Sequence, residues 1–197
     1  MIDLTDPTAL AILAAKAFEE AGVEYALYGG LLLAAYGEAR ETRDADLAVV
    51  GDVVDVARVA LEHAGATTHV AFVDVVFGGL SLSRITVLGG AETTGLNTID
   101  LVRPRSARFA RGVMDRSVQA PLRGASIRIV TAEDFVLMKA LSTRDRDLDD
   151  AATVVRRLGD LFDAALVDPE VDLLELELPE AQVAARMAAI GGRARGS

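Results

Sequence analysis

The sequence predicts an α+β fold: a mixed β-sheet flanked by helices, followed by a small helical C-terminal part. Three observations carry that expectation. Short β-rich runs alternate with amphipathic helical stretches over the first 130 residues. Glycine pairs or single glycines punctuate those runs. Beyond Thr131 the β signature stops and acidic, helix-prone segments take over. The expected division is a core over 1–130, a helical part over 131–190 and a flexible tail over 191–197.

The elements follow in order. Residues 8–21 space their apolar side chains as one helix face and stop at Gly22. Val23–Tyr28 reads as a strand ending at Gly29-Gly30, and a second apolar helix runs to about Tyr36 before Gly37. Asp44–Val50 alternates and then becomes fully apolar, the pattern of a strand entering a core. A helix opens near Gly51–Asp52 and runs through His63. Thr68–Phe77 and Ser81–Leu88, split by Gly78-Gly79, read as a hairpin. Thr98–Val102 is a short strand closed by Arg103-Pro104. A helix near Ala107–Met114, a strand at Ser126–Val130 and a helix capped by Thr131 come next, Thr131-x-x-Asp134 having capping-box spacing. Another helix covers about Arg146–Leu158. The remainder, with Pro169 and Pro179, reads as helical pieces, and Gly191–Ser197 as a frayed end.

Composition narrows the function classes. With 197 residues and 51% hydrophobic residues, a sizeable core is available and disorder is excluded as the main state. No cysteine is present, which removes disulfides, thiolate zinc sites and cysteine nucleophiles. No apolar run approaches membrane-spanning length, and Asp3 and Asp6 do not suit a secretory leader, so a cytoplasmic protein is expected. A net charge of −10 disfavours generic nucleic-acid coating. The charge is uneven: Arg103–Arg128 holds seven arginines against Asp115 alone, net +6, whereas Arg144–Glu180 is net −8. The basic stretch could meet phosphates or form a solvated surface.

The chemistry concentrates in Gly29-Gly30 and, past a helix, Arg40-x-Thr42-x-Asp44-x-Asp46. On a strand, Thr42, Asp44 and Asp46 share one face while Ala45 and Leu47 face the core. Two adjacent carboxylates repel unless a cation sits between them, and Mg²⁺ binds through one or two carboxylates plus substrate phosphates. Gly29-Gly30 ends a strand and opens a helix, where backbone N–H groups can hold a polyphosphate. Asp100, on the later strand, completes a three-carboxylate cluster if the two strands pair, and two ions could then clamp a phosphoryl displacement. Taken singly, an Asp-x-Asp is commonly a solvated strand end, a Gly-Gly pair a turn, and Asp100 a strand-edge charge. Order and spacing together select the metal reading.

The motifs Tyr28–Gly37 (YGGLLLAAYG), Arg40–Asp46 (RETRDAD) and Ile99-Asp100-Leu101 resemble the nucleotidyltransferase superfamily, specifically its AbiEii-like toxins and small stand-alone bacterial members. Ile129–Lys139 (IVTAEDFVLMK) and Arg144–Asp150 (RDRDLDD) are similar to that branch's helix pair. The resemblance covers roughly 10–160. It implies a nucleotidyltransferase-like mixed sheet in which Asp44 and Asp46 hold two Mg²⁺ ions and Asp100 is a third ligand or the base for an acceptor hydroxyl. Gly29, Gly30, Arg40 and Thr42 would bind the nucleoside triphosphate (NTP), Lys139 would reach its phosphates, and Asp147 would orient Lys139 or the acceptor. Independently of the family, Lys139 lies on a largely apolar helix, where an ammonium needs an anionic partner such as Asp147 or Asp150.

The implied reaction is attack of an acceptor hydroxyl on the α-phosphate of an NTP, releasing pyrophosphate. The toxin-like branch implies RNA or tRNA as acceptor and an antitoxin partner; a small hydroxylated molecule such as an antibiotic, or a protein side chain, is the alternative. An idle nucleotide- or partner-binding domain of the same fold is the non-enzymatic rival. Neither DNA nor a membrane is an expected partner. His63 and His69 stand apart from the acids, and Ser81 and Ser83 lack the turn of a serine nucleophile. No Gly-x-Gly-x-x-Gly fingerprint supports a nicotinamide cofactor.

Overall fold

The computed structural model describes residues 2–36, 41–90 and 93–196. After a two-residue strand β1 (Ile2–Asp3), helix α1 (Pro7–Ala21) starts where the Asp6 carboxylate accepts the Thr8 N–H at 2.9 Å and Pro7 supplies a preset φ. Strand β2 (Tyr25–Tyr28) leads directly into α2 (Gly29–Ala35). Then follow β3 (Ala45–Val49), α3 (Val54–His63), the hairpin β4 (Thr67–Phe77) and β5 (Leu80–Leu88), β6 (Thr93–Thr94) and β7 (Leu96–Pro104). The chain continues through α4 (Ala107–Arg116), β8 (Val118–Leu122), β9 (Ala125–Ile129), α5 (Ala132–Leu141), α6 (Asp145–Leu158), α7 (Ala164–Glu177) and α8 (Val183–Arg195).

Seven strands form one mixed sheet in the order β4-β5-β7-β3-β2-β9-β8, and β1 pairs with β6 beside it. The central strand β3 runs parallel to β7 and antiparallel to β2. Helices cover both faces. Tyr25 packs edge-on against Phe18 of α1, whereas Tyr28, three residues on and so on the opposite face, meets Phe135 of α5 at 5.4 Å between ring centres. The core is continuous from α1 through α8, with Phe18, Leu47, Ile85, Ile99, Phe109 and Phe135 fully buried. Thr131 caps α5 by accepting the Asp134 N–H at 3.2 Å.

The fold departs from the sequence expectation in three places. Strand β8 was hidden by Pro121, which a central strand would not accept; β8 is the sheet's outer strand, where no ladder partner needs that N–H. Arg123 and Gly124, both at positive φ, turn β8 into β9. Helix α7 continues through Pro169, whose missing N–H faces the carbonyl of the solvent-exposed Ala165, open to water. The flexible tail expected over 191–197 is instead helical to Arg195, with Ser197 outside the described residues. Arg193 fastens this end by donating to Asp145 and Asp149 of α6 at 2.7 and 2.8 Å.

The uneven charge is resolved inside the molecule. Arg105 pairs with Glu180 at 2.5 Å, and Arg108 pairs with Glu170 and Glu177 at 2.8 and 2.7 Å. Arg103 binds Asp74, Arg111 binds Glu24, Arg116 binds the fully buried Asp134, and Arg123 binds Asp6. Arg128 donates to Ser117 and to the Met114 carbonyl. Six of the seven arginines in the basic stretch are thus paired with carboxylates, three of which (Glu170, Glu177 and Glu180) come from the acidic stretch. Because the Arg108 pairs are part-exposed, Arg108→Ala should cost about 1 kcal/mol. In a chain of this size that lowers Tm by about 2–4 °C, and 1 M NaCl should shrink the difference in thermal melts.

Candidate active site and metal centre

The site is built on strand register. Tyr28 of β2 lies opposite Asp46 of β3, Asp46 opposite Asp100 of β7, Asp100 opposite Arg84 of β5, and Arg84 opposite Phe72 of β4. Cross-strand partners share a face, so these five side chains form one row across the sheet. Asp44, two residues before Asp46 and immediately ahead of β3, joins that cluster, and Ala45 and Leu47 turn into the core. Oxygens from Asp44, Asp46 and Asp100 all lie within 4.8 Å of one another. The strand pairing on which the sequence reading depended is thus present.

The electrostatics of this cluster are strained. Desolvation, with the neighbouring charges of Asp44 and Asp100, pushes the Asp46 carboxyl up to about 7, against opposing pulls from Lys139 and Arg144. Arg84 supplies local relief. Its Nε and Nη2 each lie 2.7 Å from an oxygen of Asp100, its Nη2 lies 3.7 Å from Asp44, and its guanidinium sits 5.6 Å from the Phe72 ring centre. The hydrogen bond to Asp100 raises the Arg84 pKa further above its ordinary value.

Gly29 and Gly30 lie against the same carboxylate strand. Gly29 has φ +70°, and a Cβ built on it would lie 2.7 Å from the Asp46 Cβ and closer still to its carboxylate. A Cβ on Gly30 would press on Thr42, 3.2 Å from its Cβ. The two glycines therefore hold the strand–helix turn directly under the acids, a closeness that a side chain forbids. Gly29→Ala should combine left-handed strain with displacement of Asp46. It is expected to lower Tm by several degrees, at about 1–3 kcal/mol, and to weaken Mn²⁺ binding in a calorimetric titration. Arg40 lies outside the described residues.

Lys139 is buried behind this row. Its ammonium donates to Asp147 at 2.6 Å and to Asp150 at 3.0 Å, and it lies 5.5 and 5.4 Å from the ring centres of Tyr28 and Phe135. Asp147 also accepts from Ser142 at 2.5 Å and Arg144 at 3.2 Å. Burial alone would raise Asp147, but Lys139, Ser142 and Arg144 together hold it below the usual carboxylate range. Burial and the charges of Asp147 and Asp46 push the Tyr28 phenol well above its ordinary value. The anionic partner expected for Lys139 is therefore a pair of acids on the next helix, Asp147 and Asp150 together.

Sequence reasoning missed Arg84 and Ser142, and placed Arg144 in a motif without giving it a role. Only the alternation of Leu80–Leu88 could have flagged Arg84, as a charge on a strand otherwise lined with small polar and apolar residues. His63 and His69 are exposed and take no part in the carboxylate row. Among the described residues, no helix is long and apolar enough to cross a membrane.

The seven-stranded mixed sheet with helices on both faces matches nucleotidyltransferase-like folds. The chain is similar to an antigenic nucleotidyltransferase-like protein from Paracoccidioides brasiliensis, at 15% identity over 93% of each chain, with a TM-score of 0.52. It is also similar to ANT(2'')-Ia in complex with adenylyl-2''-tobramycin, at 14% identity, covering 94% of this chain and 97% of that one, with a TM-score of 0.52. A solution structure of the antibiotic-resistance factor ANT(2'')-Ia matches over 86% of this chain and 96% of that one, at 14% identity and a TM-score of 0.51. No family model and no curated protein matches the sequence.

Proposed function

We propose that the protein is a Mg²⁺-dependent nucleotidyltransferase that moves a nucleoside monophosphate from an NTP to an acceptor hydroxyl. The observation that carries this reading is the convergence of Asp44, Asp46 and Asp100 on one sheet face, with Gly29 pressed beneath Asp46. The donor set fits a hard divalent cation: all its ligands are carboxylate oxygens, and their mutual repulsion is what a bound cation relieves. Asp44 and Asp46 would hold Mg²⁺, which when bound neutralises phosphate charge and eases loss of the acceptor's proton.

The chain's own groups account for the rest. Gly29, Gly30, Thr42 and Arg40 bind the NTP, the glycines by admitting phosphate close to the backbone. Lys139, fixed by Asp147 and Asp150, directs its charge toward the triphosphate. Asp147 orients that ammonium. The acceptor oxygen forms its bond to the α-phosphorus as the bond to the bridging oxygen breaks, pyrophosphate departs, and the hydroxyl proton passes to Asp100. Positioning and charge neutralisation supply most of the rate.

For the acceptor, internal pairing of the 103–128 arginines favours a small hydroxylated molecule over a long RNA. The second reading, an RNA or tRNA end modified by a toxin with an antitoxin partner, draws on the α5–α6 pair, which carries Lys139, Asp147 and Asp150 in one buried network.

Pyrophosphate release tests both. The protein is incubated with Mg²⁺ and each NTP in turn, with an aminoglycoside, total bacterial RNA or a hydroxyl-bearing polypeptide as acceptor. Release with the aminoglycoside, and a mass gain of one nucleotidyl group on it, is the expected result. Release with RNA alone selects the second reading, and NTP binding without release in any arm selects an idle domain.

A further inference from the structure

Arg84 stands where a cation belongs. Both oxygens of Asp100 face its nitrogens at 2.7 Å, and its Nη2 approaches Asp44 at 3.7 Å, so a guanidinium already bridges two of the three carboxylates. Among the described residues Asp46 has no such partner, and it is the carboxylate left repelling its neighbours. Arg84 is fixed on three sides: by its register opposite Asp100, by the fork of two charge-assisted hydrogen bonds, and by the Phe72 ring. It cannot withdraw by losing its proton. Rotating it away would leave Asp100, 5% exposed, as a nearly buried and unpaired charge.

From this geometry we propose that Arg84 is the built-in second cation of the site. The chain then holds one divalent ion, between Asp44 and Asp46, where the family resemblance implies two. Charge agrees with this arrangement, because one guanidinium and one divalent ion together balance three carboxylates. Arg84 is then a positioning residue: it fixes Asp100 as a hydrogen-bonded anion facing the acceptor and keeps it out of the metal's ligand set. The inference rests on the nucleotidyl-transfer reading and assigns a role within that same site.

Native mass spectrometry of the full chain tests it without turnover. Wild type, Arg84→Lys and Arg84→Met are each loaded with Mn²⁺ and, in separate arms, α,β-methylene-ATP or α,β-methylene-GTP, and ions per nucleotide-bound chain are counted. One Mn²⁺ on wild type and Arg84→Lys, and two on Arg84→Met, is the expected result. Two on wild type, or an unchanged count of one in Arg84→Met, overturns the role of Arg84 and leaves the transfer reading standing. No Mn²⁺ and no nucleotide on any chain overturns both. If Arg84→Met does not fold, the wild-type and Arg84→Lys counts still decide, since two ions on either contradict a built-in cation.

Discussion

Asp46→Asn is expected to abolish nucleotidyl transfer while making the metal-free protein more stable. Asp46 would hold the ion that neutralises phosphate charge, and loss of that hold would remove several kcal/mol of transition-state stabilisation, about a thousandfold or more in kcat. Stability moves the other way, and the sign follows from linkage. In the folded protein the Asp46 carboxyl sits at about 7, against 3.8 for the free group, because the cleft desolvates it beside Asp44 and Asp100. A carboxyl raised by folding favours the native state fully below pH 4, and that benefit is lost as pH climbs through about 7. The ionised group then destabilises the metal-free fold by up to about 4 kcal/mol. Thermal melts in EDTA should therefore show wild type losing Tm between pH 4 and 8, with Asp46→Asn holding its Tm over that range. A wild-type profile parallel to that of the variant would refute the crowding of the three acids.

Lys139→Met should strongly destabilise the fold. It leaves Asp147 and Asp150, both buried, without the ammonium they share at 2.6 and 3.0 Å. Breaking a buried pair from one side costs about 3–5 kcal/mol, which for a chain of this length is a Tm drop of about 10 °C or more. Neutralising the acids as well, in Lys139→Met/Asp147→Asn/Asp150→Asn, should recover most of that loss. The triple variant also separates structure from chemistry. If the ammonium acts on the triphosphate, the refolded triple variant stays impaired in transfer; if it only balances buried acids, turnover returns with the fold.

How much of this was legible in the sequence depends on the range of the interaction that fixes each feature. The α+β layout, the glycine pair and the Asp44-x-Asp46 strand were legible because period and punctuation are local properties of the chain. Asp100 was legible only as a conditional, since its place beside Asp46 requires β3 and β7 to pair in one register. Arg84 was not, because nothing within its own strand says which residue of β7 lies opposite. Lys139 could be marked as needing an anion from its apolar helix alone, with Asp147 or Asp150 of the next helix as candidates, but that both serve together required the packing of α5 on α6. The partners of the arginine stretch were not legible, because charge in a sequence window carries no information on tertiary partners; Arg105 finds Glu180 from 75 residues away. Strand β8 was obscured by a proline whose harmlessness depends on its place at the outer strand of the sheet.

Nucleotidyl transfer at the three-carboxylate centre is tested most directly by following the two ends of the triphosphate. Wild type and Asp44→Ala/Asp46→Ala protein are incubated with Mg²⁺, acceptor mixtures and NTP labelled with ³²P at either the α or the γ position. Label from the α position, and never from the γ position, should enter acceptor with wild type alone, with γ-label leaving as pyrophosphate. Transfer of γ-label, or equal incorporation by the double variant, would contradict nucleotidyl transfer at the Asp44–Asp46–Asp100 centre.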